Sequence, residues 1–165
     1  MARSLLSRRL VRRLRDTRGG SLVEAALITP LLLMLTFGII DFASMFYVYL
    51  ALENGVSQAT RYGVTGNLMD DPMNPGTALN RAESMKLAMR QATPTLTIPD
   101  TAFTFSNMPP GGSSWSPGVG GPGAIEKVTV NYTWSFLTPL IRPFFSGGQL
   151  NIQVESSMKN EKRFN

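Results

Sequence analysis

Residues 18–42 read RGGSLVEAALITPLLLMLTFGIIDF and contain the densest apolar block of the chain. Within it, the sixteen residues 25–40 carry no charge and lie between Glu24 and Asp41. A helix needs roughly 20 apolar residues to cross the hydrocarbon core of a bilayer. Apolar residues resume after Asp41, so the segment becomes long enough if Asp41 lies near the far interface. We therefore predict one membrane-spanning helix.

The residues before this helix carry most of the positive charge. Residues 1–19 contain seven arginines and a single acid, Asp16, whereas the whole chain has a net charge of only +5. Basic residues beside a membrane span stay in the cytoplasm, so we predict a cytoplasmic N-terminus, an exported remainder and no nucleic-acid partner. An Arg-rich mitochondrial targeting arm is another interpretation. An ordinary secretory signal is disfavoured, because the apolar run is long and no A-x-A-like site follows it.

The composition bears on chemistry as well as on topology. The chain has no cysteine and no histidine, which excludes disulfides, thiolate nucleophiles, Cys/His zinc sites and imidazole acid–base catalysis. Asp70 and Asp71 are adjacent acids, but they lack the ligand spacing of a cation site. We therefore expect no enzyme activity, no cofactor and no metal.

The junction between the basic arm and the apolar run carries a more specific signal. Gly19 ends the arm, Glu24 follows five positions later, and the apolar run begins at once. This pattern resembles the class III signal of type IV pilins. The resemblance implies that a prepilin peptidase cuts between Gly19 and Gly20, with a second possible frame after Gly20. It also implies that Glu24 serves peptidase recognition and assembly, by pairing with the new N-terminal amine of a neighbouring subunit.

Further segments narrow the resemblance. They are residues 21–27, 30–33, 38–42, 51–63, 137–140 and 158–161. Together they resemble the TadE-like family, minor pseudopilins of tight-adherence (Tad, or Flp) pilus systems. The resemblance implies a bacterial inner-membrane protein with a periplasmic C-terminal domain. Its implied partners are the prepilin peptidase, other pilins or pseudopilins of the Tad machinery, and inner-membrane lipid.

Pro30 lies inside the apolar run. Proline removes one helical hydrogen bond and tends to kink a helix, yet membrane helices tolerate it. Two interpretations stay open: a helix kink that helps packing in a filament, or a tolerated membrane-helix proline.

The exported part has patterns of both helix and strand. The first helix is predicted to continue to about Gly63, with Tyr47, Leu50, Val56 and Ala59 at helical spacing. A second helix is predicted over residues 77–92, with Leu79, Ala82, Met85 and Met89 on one face. Strands are predicted over residues 101–106, 128–136 and 150–155, and a Gly/Pro-rich loop over residues 109–123.

These patterns predict an α+β fold with a long N-terminal membrane-spanning helix, a second short helix and a small antiparallel sheet of about three strands. In the longest strand, alternation places Tyr132 and Trp134 on the buried face. The predicted organisation is a basic cytoplasmic leader (residues 1–19), a transmembrane and extended helix (20–63) and an exported domain (64–165).

Two functions fit this organisation. The first is a TadE-like pseudopilin that acts in assembly, priming or support of a pilus after its leader is cleaved. The second is a signal-anchored periplasmic scaffold or binding protein that is never cleaved. The length of the mature chain separates the two hypotheses.

Overall fold

The computed structural model describes residues 17–164. Most of the predicted leader, residues 1–19, therefore lies outside the described residues. Helix α1 (Thr17–Val64) leads into a short hairpin of β1 (Asp70–Asp71) and β2 (Asn74–Ala78), then helix α2 (Arg81–Ala92). The remaining strands are β3 (Phe103–Met108), β4 (Ser116–Pro117), β5 (Ile125–Ser135) and β6 (Gln149–Lys159).

The main sheet is antiparallel and has the order β4-β3-β5-β6. Strands β5 and β6 pair along their whole length, from Ile125 with Lys159 to Ser135 with Gln149. The predicted α+β class is confirmed, and the three predicted strands correspond to β3, β5 and β6. The two-residue strand β4 is an addition to the predicted sheet, and the β1–β2 hairpin forms a separate sheet that was not predicted.

The core lies between the sheet and two helices. Its fully buried side chains include Leu52 and Val56 from α1, Met85 and Met89 from α2, and Val128 from β5. Burying one such side chain contributes about 1.5–3 kcal/mol relative to leaving it in water. The C-terminal half of α1 is therefore part of the core as well as the continuation of the apolar helix.

The helical spacing of apolar residues does not identify the buried face of α1. Val56 and Ala59 are buried, but Tyr47 and Leu50 are exposed, and Val48 and Leu52 lie in the core. Residues on this stretch of α1 are apolar on several faces, so periodicity alone does not select one.

Helix α2 begins later than predicted. The Asn80 side chain accepts a hydrogen bond from the Glu83 N–H at 2.9 Å and caps the helix, and this kind of cap satisfies an otherwise unpaired donor of the first turn. Residues 74–78 before it form β2. Consequently Leu79 lies outside α2, whereas Met85 and Met89 are buried as predicted.

Strand β5 has the predicted alternation, but the apolar side chains near its two ends are buried to different extents. Val128 and Val130 are fully buried, as is Phe136 directly after the strand. Tyr132 and Trp134 are only half-buried and pack against the edge of the core.

Candidate functional site

The predicted cleavage site lies in the first turns of α1. Gly19 and Gly20 are exposed, and a Cβ added at either would meet nothing within 4 Å. Glycine lowers helix stability by about 1 kcal/mol relative to alanine. Two consecutive glycines therefore lower the stability of this end of α1.

Glu24 lies one turn further along the same helix and is exposed. Glu24 lies four positions after Gly20, which corresponds to about 6 Å along the helix axis. The carboxylate thus stands at the boundary between the glycine pair and the apolar run. A carboxylate at the edge of a membrane helix is costly unless it is paired or hydrated.

Pro30 is contained within a helix that continues on both sides of it. Because proline has no N–H, the carbonyl of Ala26 loses its usual helical donor. Gly19, Gly20, Glu24 and Pro30 are all exposed on α1. The structure therefore aligns these residues along one helix, outside the packed core.

The surface between Glu24 and Asp41 is almost wholly apolar and exposed. Helix α1 is long and apolar enough to cross a membrane, and none of its most apolar 18-residue window is buried inside the protein. The exposed large side chains of this surface are Leu27, Ile28, Leu31, Leu32, Leu33, Met34, Leu35, Ile39 and Ile40. An apolar surface of this size marks a membrane or a protein partner.

Asp41 has a role that sequence reasoning missed. Its side chain is completely buried. It accepts hydrogen bonds from the Leu137 N–H at 2.8 Å, the Thr138 N–H at 3.2 Å and the Thr138 hydroxyl. Asp41 therefore clamps the β5–β6 connection onto α1. The sequence feature that could have revealed this role is a lone acid within an apolar helix, because a carboxylate in such a helix needs partners to be tolerated.

A second buried acid was also missed. Glu126 on β5 is fully buried and forms an ion pair with Arg81 on α2. The Arg81 guanidinium also donates to the Gly120 carbonyl and lies 4.6 Å from the centre of the Phe164 ring. Burial lowers the pKa of Arg81. The pair joins the start of α2, the sheet and the C-terminus, and Glu126 is in phase with the apolar alternation of β5.

Of the adjacent acids at positions 70 and 71, Asp71 stabilises the turn between β1 and β2. Asp71 accepts hydrogen bonds from the Met73 N–H and the Asn74 side-chain amide, both at 2.8 Å. The Asn74 bond first, and then the Met73 bond, lower the pKa of Asp71. Among residues 17–164 no group of three or more acidic side chains is arranged to hold a metal ion.

The segment following α2 also has an ion-pair network. Arg90 bonds to Asp100 at 2.5 Å, and Lys86 lies 3.7 Å from the same carboxylate. The hydrogen bond and charge of Arg90, with a smaller effect of Lys86, lower the pKa of Asp100. This network ties α2 to the turn before β3 at the exposed surface.

This chain is an α+β protein whose first helix has a bare N-terminal half, long and apolar enough to cross a membrane, and a packed C-terminal half. The model of the TadE-like protein family matches residues 19–61. The predicted TadE-like resemblance is thereby confirmed over the part of α1 that holds Gly19, Gly20, Glu24, Pro30 and Asp41. Comparison with curated proteins and with solved structures gave no match.

Proposed function

We propose that this protein is a minor pseudopilin that acts in the assembly, priming or support of a tight-adherence pilus. The observation that carries the proposal is the coincidence of the TadE-like match at residues 19–61 with the bare apolar surface of α1. Proteins of this family are structural components associated with Tad pili. Accordingly, the protein acts through binding rather than catalysis, and its partners are other components of the pilus machinery.

In this proposal, a prepilin peptidase cuts between Gly19 and Gly20 on the cytoplasmic side of the inner membrane. The exposure of both glycines and their low helix propensity support access by the enzyme. The apolar run stays in the product, so the mature protein remains anchored. The exported domain lies in the periplasm, and the subunit joins its partners from the membrane.

Glu24 supplies the assembly contact. Cleavage creates an amine at Gly20, and a neighbouring subunit shifted along the helix axis brings its amine close to this carboxylate. Pairing neutralises both charges within an apolar helix bundle, where an isolated charge is strongly disfavoured. The exposure of Glu24 and its position at the start of the apolar surface support this role.

Sequencing the N-terminus of the membrane-extracted protein tests the cleavage. We expect a mature chain that begins at Gly20. Gly19→Arg should leave the longer precursor in the membrane, because it places a bulky charge at the cut. A wild-type chain that still begins at Met1 would support the uncleaved scaffold instead.

Crosslinking to partner pilins tests the role of Glu24. Glu24→Gln keeps the shape of the side chain and removes its charge, so the chains that are cleaved should lose most of the crosslinked product. Glu53→Gln is the matched control, because it makes the same change on the exported half of α1. Assembly of Glu24→Gln at the wild-type level would exclude the pairing mechanism.

A further inference from the structure

A short segment beside the anchor helix exposes apolar side chains. Residues 137–145, called here the foot, connect β5 to the turn before β6. Phe144 is 69 % exposed and Leu137 57 % exposed, and Leu140 is also exposed. Arg142 is exposed and is the single charged residue of the foot. Large apolar groups gathered at one exposed site indicate a binding surface.

The foot is held at a fixed level along α1. Asp41 accepts the hydrogen bonds of Leu137 and Thr138, and the Phe42 ring meets Phe136 edge to face at 6.3 Å. The Phe136 ring in turn stacks on Phe145 at 4.2 Å. These contacts attach both ends of the foot to the helix and leave little freedom for it to move along the axis.

This level coincides with the outer end of the apolar surface. Glu24 and Asp41 are 17 positions apart, which corresponds to about 26 Å of helix. The hydrocarbon core is about 30 Å thick. With Glu24 at the inner edge, Asp41 therefore lies at the outer edge. Ile141 reaches further inward, because its Cδ1 lies 3.8 Å from the Cβ position of Gly38.

The surroundings of the foot indicate which partner it contacts. Ile141 of the foot lines an apolar hollow together with Leu31, Gly38 and other residues of α1 as far as Phe46, and this surface of α1 is itself in position to contact lipid. Phe46, Tyr47 and Tyr49 are exposed on the next turns of α1, and aromatic residues favour the membrane–water interface. The Arg142 charge is suited to the phosphates of anionic headgroups.

We propose that the foot inserts Leu137, Leu140 and Phe144 into the outer leaflet and seats the exported domain on the bilayer surface. The partner is the lipid surface, and Asp41 sets the depth of insertion. The proposal rests on the membrane-spanning topology of the proposed function. The subunit thus has two lipid contacts before it enters a filament, the helix and the foot.

Fluorescence quenching in vesicles tests the proposal. The chain has no cysteine, so single probes can be attached to the full-length protein through Phe144→Cys, Met73→Cys or Ile28→Cys. Vesicles contain phosphatidylethanolamine and phosphatidylglycerol at about 3:1, with quenchers placed on shallow or deep acyl positions. Met73 is the control, because it is highly exposed at the β1–β2 hairpin.

We expect the probe at position 144 to be quenched by shallow lipid quenchers and shielded from aqueous iodide by about three-fold or more. The probe at 73 should respond to iodide alone. If 144 behaves like 73, the foot does not touch the membrane. Shielding from iodide without lipid quenching means that protein covers the foot, which also overturns the proposal.

The probe at position 28 separates the foot from the anchor. It lies within the apolar run and should respond to the deep quenchers. Quenching at 28 without quenching at 144 overturns the proposal for the foot but supports the membrane-spanning helix. If the deep quenchers do not quench the probe at 28, the membrane-spanning topology is overturned, and with it the proposal for the foot.

Discussion

The two halves of α1 are continuous in secondary structure but opposite in environment. Up to Ile40, large apolar side chains point away from the protein. From Val48 onward, one face is completely buried against α2 and the sheet. Helix formation and apolar character are therefore insufficient to define a core. The first half needs a partner from outside the chain, whereas the second half finds its partner within it.

The largest difference between the halves should appear on removing a leucine. Leu52→Ala leaves a cavity in the packed half and should lower the free energy of unfolding by about 2–5 kcal/mol. Leu32→Ala makes the same change at an exposed position of the bare half and should change it by less than about 0.5 kcal/mol. Denaturant melts of the full-length protein in detergent micelles compare them. Equal losses would contradict the division of α1.

The junction of the halves can be tested at Asp41. Asp41→Asn removes the charge and one acceptor oxygen, so the Leu137 and Thr138 amides should exchange with solvent about ten-fold faster, as expected for loss of a charge-assisted hydrogen bond. Hydrogen exchange measures this directly. Asp71→Asn is the control, since it should affect the Met73 amide and not the foot. Unchanged exchange at Leu137 and Thr138 would show that the clamp is dispensable.

Two glycines give a matched test of packing distance. A Cβ at Gly55 would lie 2.6 Å from Thr93 Cγ2 and 3.1 Å from Met89 Cγ. At Gly38 the nearest atom is 3.8 Å away, an ordinary contact. Gly55→Ala should therefore destabilise the protein by about 1–2 kcal/mol, because overpacking exceeds the gain in helix propensity. Gly38→Ala should be neutral or slightly stabilising in thermal melts, and similar losses at both positions would be inconsistent with this packing.

The smallest effect concerns acid pH and the packed half alone. Arg90 lowers the pKa of Asp100 in the folded protein. The ionised carboxylate therefore contributes stability above its unfolded pKa, near 3.8, and this contribution is lost as the pH falls through the lower folded value. Asp100→Asn should remove a slight part of the acid destabilisation in melts between about pH 5 and 2. Arg90→Gln should do the same, and a steeper acid dependence in either variant would reverse the assigned sign.

Local patterns predicted much of the architecture. Strand β5 was found because apolar and polar residues alternate from Val128 to Phe136, and such alternation reports directly on a half-buried strand. The start of α2 and the hairpin before it were missed. Those boundaries depend on the Asn80 cap and on the Asp71 turn, which compete with the helical pattern of residues 77–80.

The residues of the candidate site also fall into those that local sequence patterns predict and those that they do not. Gly19, Gly20 and Glu24, the residues of the proposed processing signal, are recognisable from spacing, because such a signal is read along the chain. Asp41 and Glu126 are not, since each depends on a partner distant in sequence. Asp41 meets Thr138, 97 positions away, and Glu126 meets Arg81, 45 positions away.

Consecutive residues are enough to predict the long apolar helix, the class of fold and the TadE-like segment, because each is a local property of the chain. Tertiary packing is needed to define which face of α1 enters the core, how Asp41 is satisfied and where the foot lies. The physical reason is that a buried face or a buried charge is defined by what packs against it. The packing of β5, β6 and their connection on α1 brings together residues that no local pattern relates.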